Sequence, residues 1–282
     1  MDDKLKKAIL VVSFGTSYEK TRKLTIEKIE NNIKEEFQGY DIRRAFTSHG
    51  VIKKLKESYG VFIDKPEEAL QKLKEEGYEE VLIQPLHIIP GEEYDYIKNV
   101  VEVFKRDKSF KRIELGRPAL FFKGDDEHSP DDYRIFIEAL KHQISKNEIV
   151  VLMGHGTHHP ADAVYSCLQC VLGDYGLNNV FVGTIEGYPS LNHVIDNLKK
   201  NNIEKITLMP LLIVAGDHAI NDMSGEEEDS WKSILLREGF EVDIYLHGLG
   251  ENPKIQNIYV EHIKDIISGN YSLVGMTQKG LM

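Results

Sequence analysis

Along the chain, short solid runs of apolar, largely β-branched residues alternate with longer stretches in which apolar positions recur every three to four residues. The first half reads AILVVSF, an amphipathic stretch from about Thr21 to Glu36, DIRRAF, a second from about Pro66 to Glu76, then VLIQPLHII. The second half reads EIVVLMG, a helix-spaced stretch through Cys167, NVFVGTI, another from about Leu191 to Lys199, then ITLMPLLIV. Solid apolar runs suit strands covered on both faces, and their alternation with helices predicts βαβ units in a parallel sheet. The last stretch, NPKIQNIYVEHIKDII, has helical spacing and a proline suited to a first turn.

The two halves also match residue on residue. YEEVLIQPLHIIPGEEYD lies over IEKITLMPLLIVAGDHAIND with Pro85 on Pro210, Gly91 on Gly216 and Glu93 on His218. VVSFGTS can be set against VLMGHGT with Gly15 on Gly156, so each half opens with a strand that ends in a glycine-containing turn. The expected architecture is α/β: two similar doubly wound parallel-sheet domains related by a pseudo-two-fold axis. The expected boundaries are residues 1–128 and 129–282, with the C-terminal helix packing back on the first domain. The acidic, turn-rich segment from about Lys123 to Asp132 marks the surface connection between them.

Composition narrows the function. The 282 residues carry 35 Lys and Arg against 46 Asp and Glu, a formal charge of −11, which argues against nucleic acid or an anionic membrane as partner. The apolar run after Lys7 stops at Ser13 and reads as a buried strand rather than a secretion signal, and no run approaches membrane-spanning length. A cytoplasmic protein is expected. Cys167 and Cys170 are too few for a disulfide framework and share a helix-spaced segment, so they are expected to pack.

Ligands of open parallel sheets sit beyond the carboxyl ends of the strands, and three polar residues fall there. His155, in MGHGTHHP, follows a strand and lies between two glycines that let the backbone approach a ligand. His218, in LLIVAGDHAIND, and Glu186, in VFVGTIEGYPS, follow two further strands of the same half. Neutral imidazole suits borderline divalent metals and can equally take up a proton. A His, His, Glu set leaves coordination positions open, as a metal in transit requires. Glu92 and Glu93 occupy the first-half counterpart of the His218 turn, where they also favour the start of a helix. His158 and His159 rank as outer partners of the site, and His87 as a core histidine. Lys20, Arg22, Arg43 and Arg44 are the cations placed to meet a carboxylate, with structural roles equally open. The run GEEEDSW reads as a solvated loop and helix start.

These segments together resemble the class II chelatases, and most closely those that insert cobalt into sirohydrochlorin in anaerobic cobalamin synthesis. The resemblance spans nearly the whole chain and rests on VVSFGTS, QPLHIIPGEEY, MGHGTHH, GTIEGYP, MPLLIVAGDHAINDM and HGLGENP. It implies two similar domains facing a cleft, with a metal bound by His155, Glu186 and His218. It also implies a further active-site carboxylate at Glu93, for which Glu92 is the substitute. The substrates it implies are a sirohydrochlorin-type tetrapyrrole and Co2+, with Fe2+, Ni2+ or Zn2+ able to stand in for Co2+, and no organic cofactor. Metal insertion demands a deformed macrocycle and the loss of two N–H protons, tasks for peripheral binding energy and for His155, His218 and Glu93 as bases. Relatives suggest a homo-oligomer. The competing readings are an iron or nickel chelatase and a non-catalytic carrier of metal or tetrapyrrole. A dinucleotide-binding oxidoreductase fails because neither opening turn carries the spaced glycines of a pyrophosphate loop.

Overall fold

The computed structural model describes residues 5–126, 129–144 and 148–271. The first half runs β1 (Lys7–Ser13), α1 (Glu19–Leu24), α2 (Ile26–Glu36), β2 (Asp41–Phe46), α3 (His49–Tyr59), α4 (Pro66–Glu75), β3 (Glu80–Pro85), α5 (Glu92–Arg106) and β4 (Arg112–Leu115). A two-stranded antiparallel ribbon, β5 (Lys123–Asp126) and β6 (Ser129–Asp131), occupies the acidic connecting segment. The second half runs α6 (Asp132–Leu140), β7 (Val150–Gly154), α7 (Ala163–Asp174), β8 (Val180–Thr184), α8 (Leu191–Lys200), β9 (Lys205–Pro210), α9 (Trp231–Arg237), β10 (Glu241–Ile244) and α10 (Pro253–Ile267). Among the described residues no helix is long and apolar enough to cross a membrane.

Two compact units result. One comprises residues 1–17, 29–131 and 256–282; the other comprises 18–28 and 132–255. Each holds a four-stranded parallel sheet, β2-β1-β3-β4 in the first and β10-β9-β7-β8 in the second. Numbered within its own unit, each sheet has the same strand order, 2-1-3-4, the doubly wound pattern with its switch point between the first and third strands. The registers agree as well: Val12 pairs with Pro85 in one sheet and Met153 with Pro210 in the other. Leu86 N–H donates to Val12 O at 2.7 Å, and Leu211 N–H to Met153 O at 2.8 Å. By these registers Phe14 is the counterpart of His155 and Gly15 of Gly156, and both glycines take positive φ, 94° and 79°.

The central strands are buried on both faces because helices cover both. In β1, Ala8 to Val12 are at most 1% exposed. In the first unit Leu10, Ile83, Leu70 and Ile97 belong to one core; in the second, Val151, Leu208, Val194 and Trp231 do. Helix α8 shows why such helices form where they do. Ser190 caps its start by accepting from His193 N–H, and Leu191, Val194, Ile195 and Leu198 repeat at one-face spacing. In the first unit, α10 is fixed by Arg117, whose guanidinium is 4% exposed and lies 2.7 Å from Asp265, and by Arg112, which donates to Ile266 O at 2.6 Å.

Three details depart from expectation. The helix anticipated from Thr21 to Glu36 is two, broken at Thr25, where the fully buried hydroxyl donates back to Thr21 O at 2.7 Å and the backbone leaves the helical region. Helix α3 had gone unread because its apolar residues are few, and among them only Leu55 is buried. Cys167 is half-buried but Cys170 is exposed, since the packed stripe of α7 runs through Tyr165, Leu168, Val171 and Leu172 and passes them by.

His87 stands just past β3, and neither of its buried ring nitrogens has a hydrogen-bond partner. Burial pushes the imidazole from its ordinary 6.5 down to about 4. Between those values the unfolded chain binds the extra proton, so stability falls as pH drops through the window, by about 2 kcal/mol from pH 7 to pH 5. Urea unfolding at the two pH values should show that loss. His87→Leu, which copies Leu212 of the second unit, should remove it; an equal loss in variant and parent would refute the assignment.

Candidate metal centre

Strand β7 delivers its chain to the switch point of the second sheet, and His155 is the first residue beyond it. Strand β9 ends beside β7, and the chain beyond it carries His218 immediately ahead of a single π-helical turn, Ala219–Met223. The two half-buried imidazoles meet edge to face, ring centroids 4.6 Å apart with an interplanar angle of 77°. The parallel register sets Met153 against Pro210 and brings the two strand ends level, and the loop after β9 carries His218 from there to His155.

Each ring is oriented through its Nδ1. His155 Nδ1 lies 2.9 Å from Gly156 O, a carbonyl that can only accept, so a neutral ring carries its proton there. His218 Nδ1 lies 2.6 Å from Asp222 Oδ2, one helical turn on. Both arrangements leave Nε2 with its lone pair for a metal or a proton, the usual way an outer oxygen fixes a metal-binding histidine. The neighbouring Asp217 accepts from the Tyr18 hydroxyl at 3.0 Å, which holds the loop ahead of His218.

The turn after β8 carries Glu186. Its N–H donates to His155 O at 2.9 Å, and Ile185 N–H reaches Gly154 O at 3.1 Å, so the two loops are joined through their backbones. The Glu186 carboxylate is itself exposed. Among the described residues no three or more His, Cys, Asp or Glu side chains gather closely enough to hold a metal ion. The structure brings His155 and His218 together, and Asp222 joins them only through the Nδ1 of His218. Asp222 had not been singled out, though a carboxylate four residues after a candidate histidine in a helical stretch was a usable signal.

The remaining candidates sort by their partners. His159 Nδ1 accepts from Ala161 N–H at 3.1 Å and caps a short 3-10 turn, while His158 is exposed. Glu92 and Glu93 occupy the first turn of α5 in the first unit, behind Gly91. Three of the four cations are engaged: Arg22 with Glu27 at 3.0 Å, Arg43 with Glu76 at 2.6 Å and Tyr78 at 2.9 Å, and Arg44 with both oxygens of Glu30. Lys20 is exposed.

Comparison with known proteins shows the family. Residues 7–268 match the family model described as cobalt chelatase (CbiK). The chain is 41% identical over 267 residues to the sirohydrochlorin cobaltochelatase of Salmonella typhimurium strain LT2, covering 94% of this chain and 97% of that one. It is 34% identical over 263 residues to the sirohydrochlorin cobaltochelatase CbiKC of Nitratidesulfovibrio vulgaris, covering 93% and 91%. Among solved structures, SirB from Bacillus subtilis with Fe3+ superposes with a TM-score of 0.62 at 18% identity, over 95% of this chain and 99% of that one, a likeness of fold. The chain belongs to the CbiK family of cobalt chelatases.

Proposed function

We propose that this protein inserts Co2+ into sirohydrochlorin, releasing two protons, in anaerobic cobalamin synthesis; its two relatives above are named sirohydrochlorin cobaltochelatases. The observation that supports it most is the pair of imidazoles at one strand-end crevice, 4.6 Å apart, each with Nδ1 turned to an oxygen and Nε2 unoccupied by that bond. His155 and His218 are the proposed metal donors, joined by Glu186, whose exposed carboxylate can turn toward an arriving ion. Fe2+, Ni2+ and Zn2+ suit the same N, N, O donor set and are proposed as substitutes. Glu93, with Glu92 as its substitute, is proposed as a further active-site carboxylate on its PGEEY motif. A cytoplasmic location and a homo-oligomeric state complete the reading.

A histidine cannot hold a metal and accept a proton through one lone pair, so the two duties follow in sequence. While Co2+ is carried, Nε2 of each ring is a ligand. As the ion passes to the pyrrole nitrogens, the vacated Nε2 becomes a base, and two histidines suffice for the two N–H protons. At His218 the imidazolium so formed faces Asp222 at 2.6 Å, which stabilises its charge. Each ring then returns its proton to water before the next ion arrives.

With purified enzyme, excess sirohydrochlorin and excess Co2+, product should exceed protein many times over, followed by the change in tetrapyrrole absorption; a yield capped at one per chain would indicate a carrier. His155→Ala and His218→Ala should each lower the rate by about 10^2-fold or more, and full activity in both would reject their role. Asp222→Asn should cost about ten- to a hundred-fold in Co2+ affinity or rate; an unchanged variant would show that His218 needs no carboxylate to orient it.

A further inference from the structure

Asp162 stands at the start of α7, where an aspartate ordinarily caps its own helix by accepting from the first free N–H groups. It makes no such bond. Its carboxylate is turned away to two other loops instead. Oδ1 accepts from Thr157 N–H at 3.1 Å, in the loop that follows His155, and Oδ2 accepts from Tyr188 N–H at 2.7 Å, in the turn that follows Glu186. One charged group therefore ties together the backbones carrying two of the proposed metal donors.

The packing around that tie leaves no slack. A side chain on Gly156, already at φ 79°, would come within 2.6 Å of Gly187 N, and a Cβ on Gly187 would come within 2.1 Å of Asp162 Oδ1. The His155 turn, the Glu186–Gly187 peptide and the Asp162 carboxylate are thus stacked in direct contact, with the Glu186 N–H to His155 O bond inside the stack. We infer that Asp162 is a positioning residue for metal binding, a clamp that fixes the spacing between His155 and Glu186. The inference rests on the reading of those two residues as metal donors. Carboxylate-to-N–H bonds are among the stronger hydrogen bonds, and their loss leaves two loop donors unpaired, so the loops would settle at a different spacing.

Co2+ titration followed by visible ligand-field absorption tests it, with thermal unfolding recorded in parallel. Asp162→Ala should weaken Co2+ binding about ten-fold or more and shift the absorption bands at saturation, while still unfolding cooperatively. Asp162→Asn, which keeps one acceptor oxygen and nearly the same shape, should fall between it and the parent and carries the same comparison if Asp162→Ala does not fold. Combined with Glu186→Ala, the loss should be smaller than the product of the two separate losses, because the clamp acts through the donor already removed. The clamp is overturned if Asp162→Ala lowers only the unfolding temperature and keeps the parent's affinity and spectrum, or if the losses multiply independently. If His155→Ala and Glu186→Ala themselves bind Co2+ like the parent, the metal-donor reading fails and the clamp falls with it.

Discussion

The site depends on the register of two parallel strands. With β7 and β9 hydrogen-bonded so that Met153 faces Pro210, their chains leave the sheet level with one another at the one place where successive crossovers diverge. Chain segments leaving the two strands are far apart in sequence and adjacent in space, and along them His155, directly after β7, and His218, in the loop after β9, come to share an edge. A slip of one residue would turn the apolar side chains of a strand buried on both faces to opposite layers and separate the rings, so core packing and site geometry are enforced by the same contacts. Val151 and Leu208, paired across that register, are both fully buried in the core of their unit.

Around the rings, the chain supplies oxygen atoms rather than further nitrogen. Gly156 O and Asp222 fix one nitrogen of each imidazole, Tyr18 holds Asp217, and Asp162 spans the two neighbouring loops. These groups set which nitrogen is available and in what direction, without competing for the ion. For a metal that is cargo, the proposed donor set of His155, His218 and Glu186 has the advantage of leaving the shell open: one closed by protein ligands would hold Co2+ too firmly to release it to a macrocycle.

Much of this was legible from the residues alone. The solid apolar runs and period-3.6 stretches, together with the match of Pro85 to Pro210 and Gly15 to Gly156, gave three of the four strands of each sheet and the repeat, because buried parallel strands leave solid apolar runs; the short, incompletely buried β4 and β10 went unread. His155, His218 and Glu186 were visible as polar residues directly behind such runs. The missing parts carried little apolar signature. Helix α3 exposes almost all its side chains, the break at Thr25 depends on one buried hydroxyl bond, and the outer carboxylates Asp162 and Asp222 look like ordinary loop and helix acids until their hydrogen bonds are seen. For Arg22, Arg43 and Arg44, whose structural and carboxylate-binding roles had been equally open, charge could be read but not their engagement by Glu27, Glu76 and Glu30.

The two units share a strand order and diverge at its functional end: where the second has His155, the first has Phe14, an exposed aromatic. The proposed imidazole donors both belong to the second sheet, and the account stands or falls on both rings engaging the ion. X-ray absorption of the Co2+-loaded protein measures this directly. Two imidazole nitrogens should appear in the first shell of cobalt, falling to one in either His155→Ala or His218→Ala; a shell of oxygen donors alone, unaltered by those substitutions, would contradict the account.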